Sequence, residues 1–169
     1  MDFSLYPKIE KGIAKKGIGI SNDLKTILFV AHGTDVYRKG YDILISAIKD
    51  LKTDQFNLIS VGGDKIETDS KINHIHYNRI NDIEKLNEIY SAADVTILPS
   101  REDNLPNVML ESMANGTPVV SFGHGGMAEH IKTGTNGILI DEISSIALSH
   151  AIKDFLDGKY FFDSDTVRK

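Results

Sequence analysis

Two acidic residues eight positions apart, Asp103 and Glu111, bracket the part of this sequence richest in possible chemistry. Between them stands Asn104-Leu105-Pro106-Asn107-Val108, which reads as the start of a helix. Asn104 is a good N-cap, and Pro106 falls in the first turn, where a missing N–H costs nothing. Asn115-Gly116 is a stop signal, with glycine free to turn left-handed. The pattern predicts a helix from Leu105 to Ala114. Eight helical residues span roughly 12 Å. The unpaired N–H groups of the first turn then lie between the two carboxylates, as a ready anion site. A ligand with hydroxyls at both ends and phosphates in the middle suits this layout, and a nucleotide sugar is such a ligand. An ordinary capped helix with a solvated glutamate gives the same local pattern.

Other residues offer chemistry of their own. Arg38 and Lys39 lie in the polar loop His32 to Gly40, with Gly33 near its start. Phosphate binding is a natural role there, and a solvated loop charge is the plain alternative. His74 and His76 share one face of a strand, a spacing able to bind metal. No third ligand stands near them in sequence, so no metal site is expected. Gly123-His124-Gly125-Gly126-Met127-Ala128 fits the G-x-G-x-x-A dinucleotide fingerprint, and Asp141 ends the next strand. That fingerprint belongs at the first strand of its domain, whereas several βα units precede it here. A tight glycine turn close to a ligand phosphate or sugar explains it better. Asp163-Ser164-Asp165 and the sequon Asn115-Gly116-Thr117 read as solvated charge and as the helix stop.

The elements that must position these residues follow from hydropathy. Thr26 to Ala31 and Phe56 to Gly63 are apolar runs of the kind buried on both sheet faces. Ile72 to Tyr77 alternates, as an edge strand does. Asp94 to Leu98, Pro118 to Phe122 and Gly137 to Ile140 complete the strands. Helical spacing marks Tyr41 to Leu51, Ile83 to Ala93 and Ile143 to Leu156. The alternation predicts an α/β, Rossmann-like three-layer αβα sandwich with a mostly parallel sheet. Residues 1–24 read as a linker rich in glycine and lysine, with a short helix as the alternative, 25–157 as the binding domain, and 158–169 as a truncated tail.

Composition bounds the function. The chain has 169 residues, 41% hydrophobic and 25% charged, enough to bury one core. A net charge of −5 disfavours a surface that tracks nucleic-acid phosphates. The absence of cysteine excludes disulfides and thiolate metal sites, and fits a reducing compartment. No apolar run approaches the roughly 20 residues of a membrane span.

With these motifs placed, the chain resembles the C-terminal, donor-binding domain of GT-B glycosyltransferases, in the large retaining family 4 (glycosyl transferases group 1). The resemblance runs from about Thr26 to Leu156. It is most specific over Ser100 to Val120, Gly125 to Glu129 and Thr133 to Leu139. It implies that Glu111 binds ribose hydroxyls and that Asp103 faces the donor sugar, one methylene shorter than the family's glutamate. Glu102 is the alternative for that role. It implies that Lys39, before Gly40, binds the diphosphate. The family's arginine at the first strand's end has no direct match, which leaves Arg38 or His32 to compensate. Gly33 belongs to the same loop. Asn104, Leu105, Pro106, Asn107 and Val108 would present helix N-terminal donors to the phosphates. Gly125 and Gly126 would lie near the sugar, and Arg79 and Ile80 near the base. Lys39 and Asp103 are thus the candidate catalytic pair.

The resemblance further implies transfer with retained configuration and no obligatory metal or cofactor, from a nucleotide sugar to a glycan or lipid-linked acceptor. UDP is favoured, with GDP and ADP open. The Asp-Asn-Leu-Pro-Asn form is most similar to enzymes of bacterial surface polysaccharide (O-antigen or capsule) synthesis. It implies a missing N-terminal acceptor-binding domain, so an excised fragment, inactive alone, is expected. A cytoplasmic location is implied, with the inner face of the plasma membrane an option for the full-length protein. A non-catalytic nucleotide-binding module and a fragment of a dinucleotide-dependent oxidoreductase are the competing readings.

Overall fold

The computed structural model describes residues 5–31, 37–103 and 105–169. Six strands form one parallel sheet: β1 (Thr26–Val30), β2 (Asn57–Val61), β3 (Asn73–Tyr77), β4 (Val95–Leu98), β5 (Val119–Phe122) and β6 (Gly137–Ile140). Their order is β3-β2-β1-β4-β5-β6. The helices are α1 (Lys11–Gly17), α2 (Tyr41–Asp50), α3 (Ile83–Ala92), α4 (Asn107–Ala114), α5 (Gly126–His130), α6 (Ser145–Leu156) and α7 (Ser164–Val167).

Strand alternation divides the core in two. Ile27 and Phe29 of β1 join α2 and α6 through Leu44, Ala47, Leu148 and Ile152 on one face. Leu28 and Val30 join α1, α3, α4 and α5 on the other, through Ala14, Ile89, Met109 and Met127. Helices on both faces are why β1, β2, β4 and β5 are buried along their whole length and read as continuous apolar runs. The alternating β3 is an edge strand, as expected. The predicted Rossmann-like α/β sandwich is the architecture found.

Three local expectations need correction. The segment read as a linker contains α1, capped by Glu10, which accepts from the Gly12 and Ile13 N–H groups. Its Ala14, with Ile18 and Ile20, is buried against the α3 side of the core. Pro7, three glycines and four lysines favoured a linker over the short helix that the segment also allows. The tail likewise holds α7, where Asp163 caps the helix and Asp165 pairs with Lys8, both aspartates remaining exposed as the reading of solvated charge expects. Finally, α4 begins at Asn107, not Leu105, and its N-cap is Pro106 with φ −68° and ψ 130°. A residue preceding proline is pushed out of the helical region, so Leu105 cannot open the helix. The predicted cap Asn104 lies outside the described residues, as do His32 and Gly33.

Candidate functional site

The strand order reverses between β1 and β4, and both strands end at the same edge of the sheet. In open α/β sheets the loops that follow the two strands at such a reversal, here β1–α2 and β4–α4, flank the ligand crevice. Arg38 and Lys39 stand on the first loop and Asp103 on the second. Gly40 lets the loops approach. Its φ is +69°, and a Cβ there would run into the Pro99 carbonyl at the exit of β4. Only glycine meets both demands.

The structure brings three predicted residues together in this crevice. Lys39 Nζ donates to Asp103 Oδ2 at 2.5 Å. Arg38 Nη1 lies 3.7 Å from the same oxygen and donates to the Glu102 carbonyl at 3.1 Å. Both side chains of the pair are largely covered, at 18% exposure for Lys39 and 13% for Asp103. Asp103, rather than the exposed Glu102, therefore carries the carboxylate facing the two cations. The chain then enters α4, whose first-turn N–H groups at Asn107 and Val108 have no carbonyl within the helix to bond. Val108 and Pro106 bury their side chains, while Leu105 and Asn107 are exposed. Pro106 has no N–H to offer, so it serves only as backbone scaffold.

Sequence reading gave Arg101 no role. Its guanidinium forks onto Asp42, Nη1 to Oδ1 at 2.8 Å and Nη2 to Oδ2 at 2.6 Å. Nη1 also donates to the Tyr37 carbonyl at 2.6 Å, and Cζ sits 4.0 Å from the Tyr37 ring centroid. Hydrogen bonding to Arg101 holds the Asp42 carboxyl below its ordinary value, and Asp42 in turn raises the guanidinium. Each partner looks like ordinary surface charge in sequence, because nothing local joins positions 42 and 101.

Glu111 sits on α4 beside a cavity of about 210 Å³ lined by Tyr6, Ile80, Asn81, Ile83, Leu86, Asn87 and Tyr90. Ile80 and Glu111, predicted to serve one ligand, therefore share a cavity, whereas Arg79 is exposed and does not line it. Tyr90 OH donates to Glu111 Oε2 at 2.9 Å. Tyr90 is 1% exposed, and burial followed by the Glu111 charge pushes its hydroxyl well above its ordinary value. It stays a donor and fixes one carboxylate oxygen. Its helical spacing marks it as core, and only the fold reveals the use of its hydroxyl. Tyr6 comes from the segment read as a linker. A larger hollow of about 700 Å³ lies between the end of α2 and the β2–β3 connection, and none of the predicted residues lines it.

The glycine turn after β5 reaches the same edge. His124 Nε2 donates to the Ser100 carbonyl at 2.9 Å, tying this turn to the β4 exit. Gly125 adopts φ 56° and ψ −150° as N-cap of α5, and both Gly125 and Gly126 are open to solvent to some degree. The turn follows β5 rather than a strand at the reversal, and α5 is a five-residue helix. His74 Nε2 and His76 Nδ1 both lie 2.8 Å from Ser60 Oγ. Among the described residues no three His, Asp or Glu side chains gather as a metal set.

Comparison with known proteins follows the same lines. A family profile described as glycosyl transferases group 1 matches residues 24–158. An uncharacterized glycosyltransferase of Methanocaldococcus jannaschii is 36% identical over 141 residues, 78% of this chain and 35% of that protein. The sucrose-phosphate synthase of Thermosynechococcus elongatus superposes with a TM-score of 0.76 at 25% identity, over 99% of this chain and 43% of that one. The HepE protein of Anabaena, solved with UDP-glucose, gives 0.73 at 21% identity, over 99% and 48%. The chain thus spans about a third of the curated relative's length and under half of each solved chain.

Proposed function

The chain belongs to the glycosyl transferases group 1 family, and from that premise we propose that it is the donor-binding half of a retaining glycosyltransferase. It would move a sugar from a nucleotide sugar, a UDP-sugar first among the options, to a glycan or lipid-linked acceptor. UDP is favoured because a neighbour of the same fold was solved with UDP-glucose. The acceptor would lie on an N-terminal domain of the whole protein, across the crevice. Bacterial surface polysaccharide synthesis at the cytoplasmic side of the membrane is the setting this reading supplies.

One observation carries the proposal: the paired Lys39 and Asp103 stand in the crevice directly ahead of the α4 N-terminus. Glu111 and its cavity lie farther along the same helix. In this reading Lys39 and Arg38 hold the diphosphate with the Asn107 and Val108 N–H groups, and Asp103 turns to the sugar. Glu111 takes the ribose hydroxyls on the oxygen that Tyr90 leaves open, Ile80 packs near the base, and Gly125 and Gly126 flank the sugar. As the glycosidic bond breaks, its electron pair goes to the departing diphosphate. In this reading the cations and helix N–H groups receive that charge, and one such preorganised donor is worth about 3 kcal/mol.

Calorimetric titration of the chain with UDP, GDP, ADP and NAD, beside Glu111→Ala, tests this. The expected result is saturable binding of one nucleoside diphosphate, lost in the variant. NAD binding that ignores Glu111 would overturn it.

A further inference from the structure

The two loops that carry Lys39 and Asp103 are not neighbours in sequence, and the contact between those two residues depends on how the loops are joined. Arg101 joins them. Its backbone N–H donates to the Arg38 carbonyl at 2.9 Å. Its guanidinium holds the Tyr37 carbonyl and both Asp42 oxygens, and its face covers the Tyr37 ring. Tyr37 and Asp42 flank Arg38, Lys39 and Gly40 on either side. The six-residue segment from Tyr37 to Asp42, which bears the proposed diphosphate contacts Arg38 and Lys39, is therefore gripped at both ends by one side chain from the opposite loop.

We infer that Arg101 is a positioning residue for the donor site, holding Lys39 against Asp103 without touching the ligand. The inference rests on the proposed donor-binding role of that pair. Three of the guanidinium's hydrogen bonds are already committed within the protein, and its ring face is occupied. It is turned toward α2, not offered to a phosphate. Lysine cannot replace it, because a single ammonium cannot fork onto Asp42 and stack on Tyr37 together.

Two readouts test the role on the isolated chain. In ¹⁵N-lysine ammonium NMR without ligand, Lys39 and Lys15 are expected to give protected resonances, since both pair with a carboxylate. Arg101→Ala and Asp42→Ala should each lose the Lys39 signal and keep that of Lys15, which reports an intact fold. Both variants should bind UDP about tenfold to a hundredfold more weakly, the scale of a misplaced contact. In a Lys39→Ala background, Arg101→Ala should add little further loss. An unchanged Lys39 signal and UDP affinity in Arg101→Ala would overturn the inference. So would a loss in Arg101→Ala that Asp42→Ala does not share, since Arg101 would then be contacting the ligand itself. If the wild-type chain binds GDP or ADP in place of UDP, the affinities are compared with that nucleotide; if it binds none of the three, the donor reading falls, while the Lys39 resonance still decides whether Arg101 holds the pair.

Discussion

β4 has an aspartate at each end, each facing two cations, and the two sites differ in what they leave open. Before the strand, Asp94 accepts from Lys15 at 2.7 Å, Lys11 at 2.9 Å and the Thr26 N–H at 2.8 Å. Lys15 is 5% exposed and spends a further proton on the Leu24 carbonyl. After the strand, Asp103 pairs with Lys39 at 2.5 Å, and Arg38, 3.7 Å from the same oxygen, donates to the Glu102 carbonyl. The first cluster ties α1, β1 and β4 together and consumes its own valences. The second joins two loops at the edge of the sheet where open α/β folds bind ligands. Similar charges thus serve as glue at one end of a strand and as a candidate site at the other. The difference lies in which edge of a parallel sheet gathers loops into a crevice.

The largest effect should come from removing the acid at each end in turn. Asp94→Ala leaves a buried lysine and a buried N–H without their acceptor, and should cost about 3–5 kcal/mol in urea unfolding. Asp103→Ala should cost less, about 1–2 kcal/mol, because it strands no buried backbone N–H and the lysine left behind is 18% exposed against 5% for Lys15. Equal losses would break the comparison. Tyr90→Phe adds a third carboxylate to the test. It removes the donor that orients Glu111, and should cost about 1 kcal/mol of stability together with weaker UDP binding. An unchanged affinity would mean that Glu111 needs no holder.

The smallest effect is the dependence on acid. Burial alone raises the Asp94 carboxyl, but the charges and hydrogen bonds of Lys11 and Lys15 outweigh it and hold it below the ordinary value of 3.8. In the window between the two values the unfolded chain binds more protons than the folded one. The contribution of Asp94 is therefore complete above about pH 5. It is lost as the pH falls below 3.8 and through the lowered folded value. Comparing acid unfolding of the wild type with that of Asp94→Asn isolates it, and the variant should show the flatter decline.

Much of this was legible in the sequence because it is written locally. Continuous apolar runs required strands covered on both faces, and helical spacing placed α2, α3 and α6. Asn115-Gly116 stopped α4 where expected, with Asn115 as C-cap and Gly116 at φ 76°. Lys39, Asp103 and Glu111 stood out as charged residues beside loop and cap signals. The start of α4 was misplaced by two residues because proline's effect on its predecessor outweighed the capping signal of Asn104. The face of α1 was obscured by lysines, one of which turned out to be buried.

The sequence by itself thus determined the fold class, the strands and helices that make it and the charged residues on the loops between them, since propensity and periodicity act over a few neighbouring positions. Only the tertiary structure decided which of those charges meet. Lys39 and Asp103 are 64 positions apart, Arg101 and Asp42 are 59, and Tyr90 and Glu111 are 21. No local pattern encodes such pairs. They arise when parallel strands bring the ends of distant loops to one edge, and a side chain's partner is then set by register and packing rather than by its neighbours in the chain.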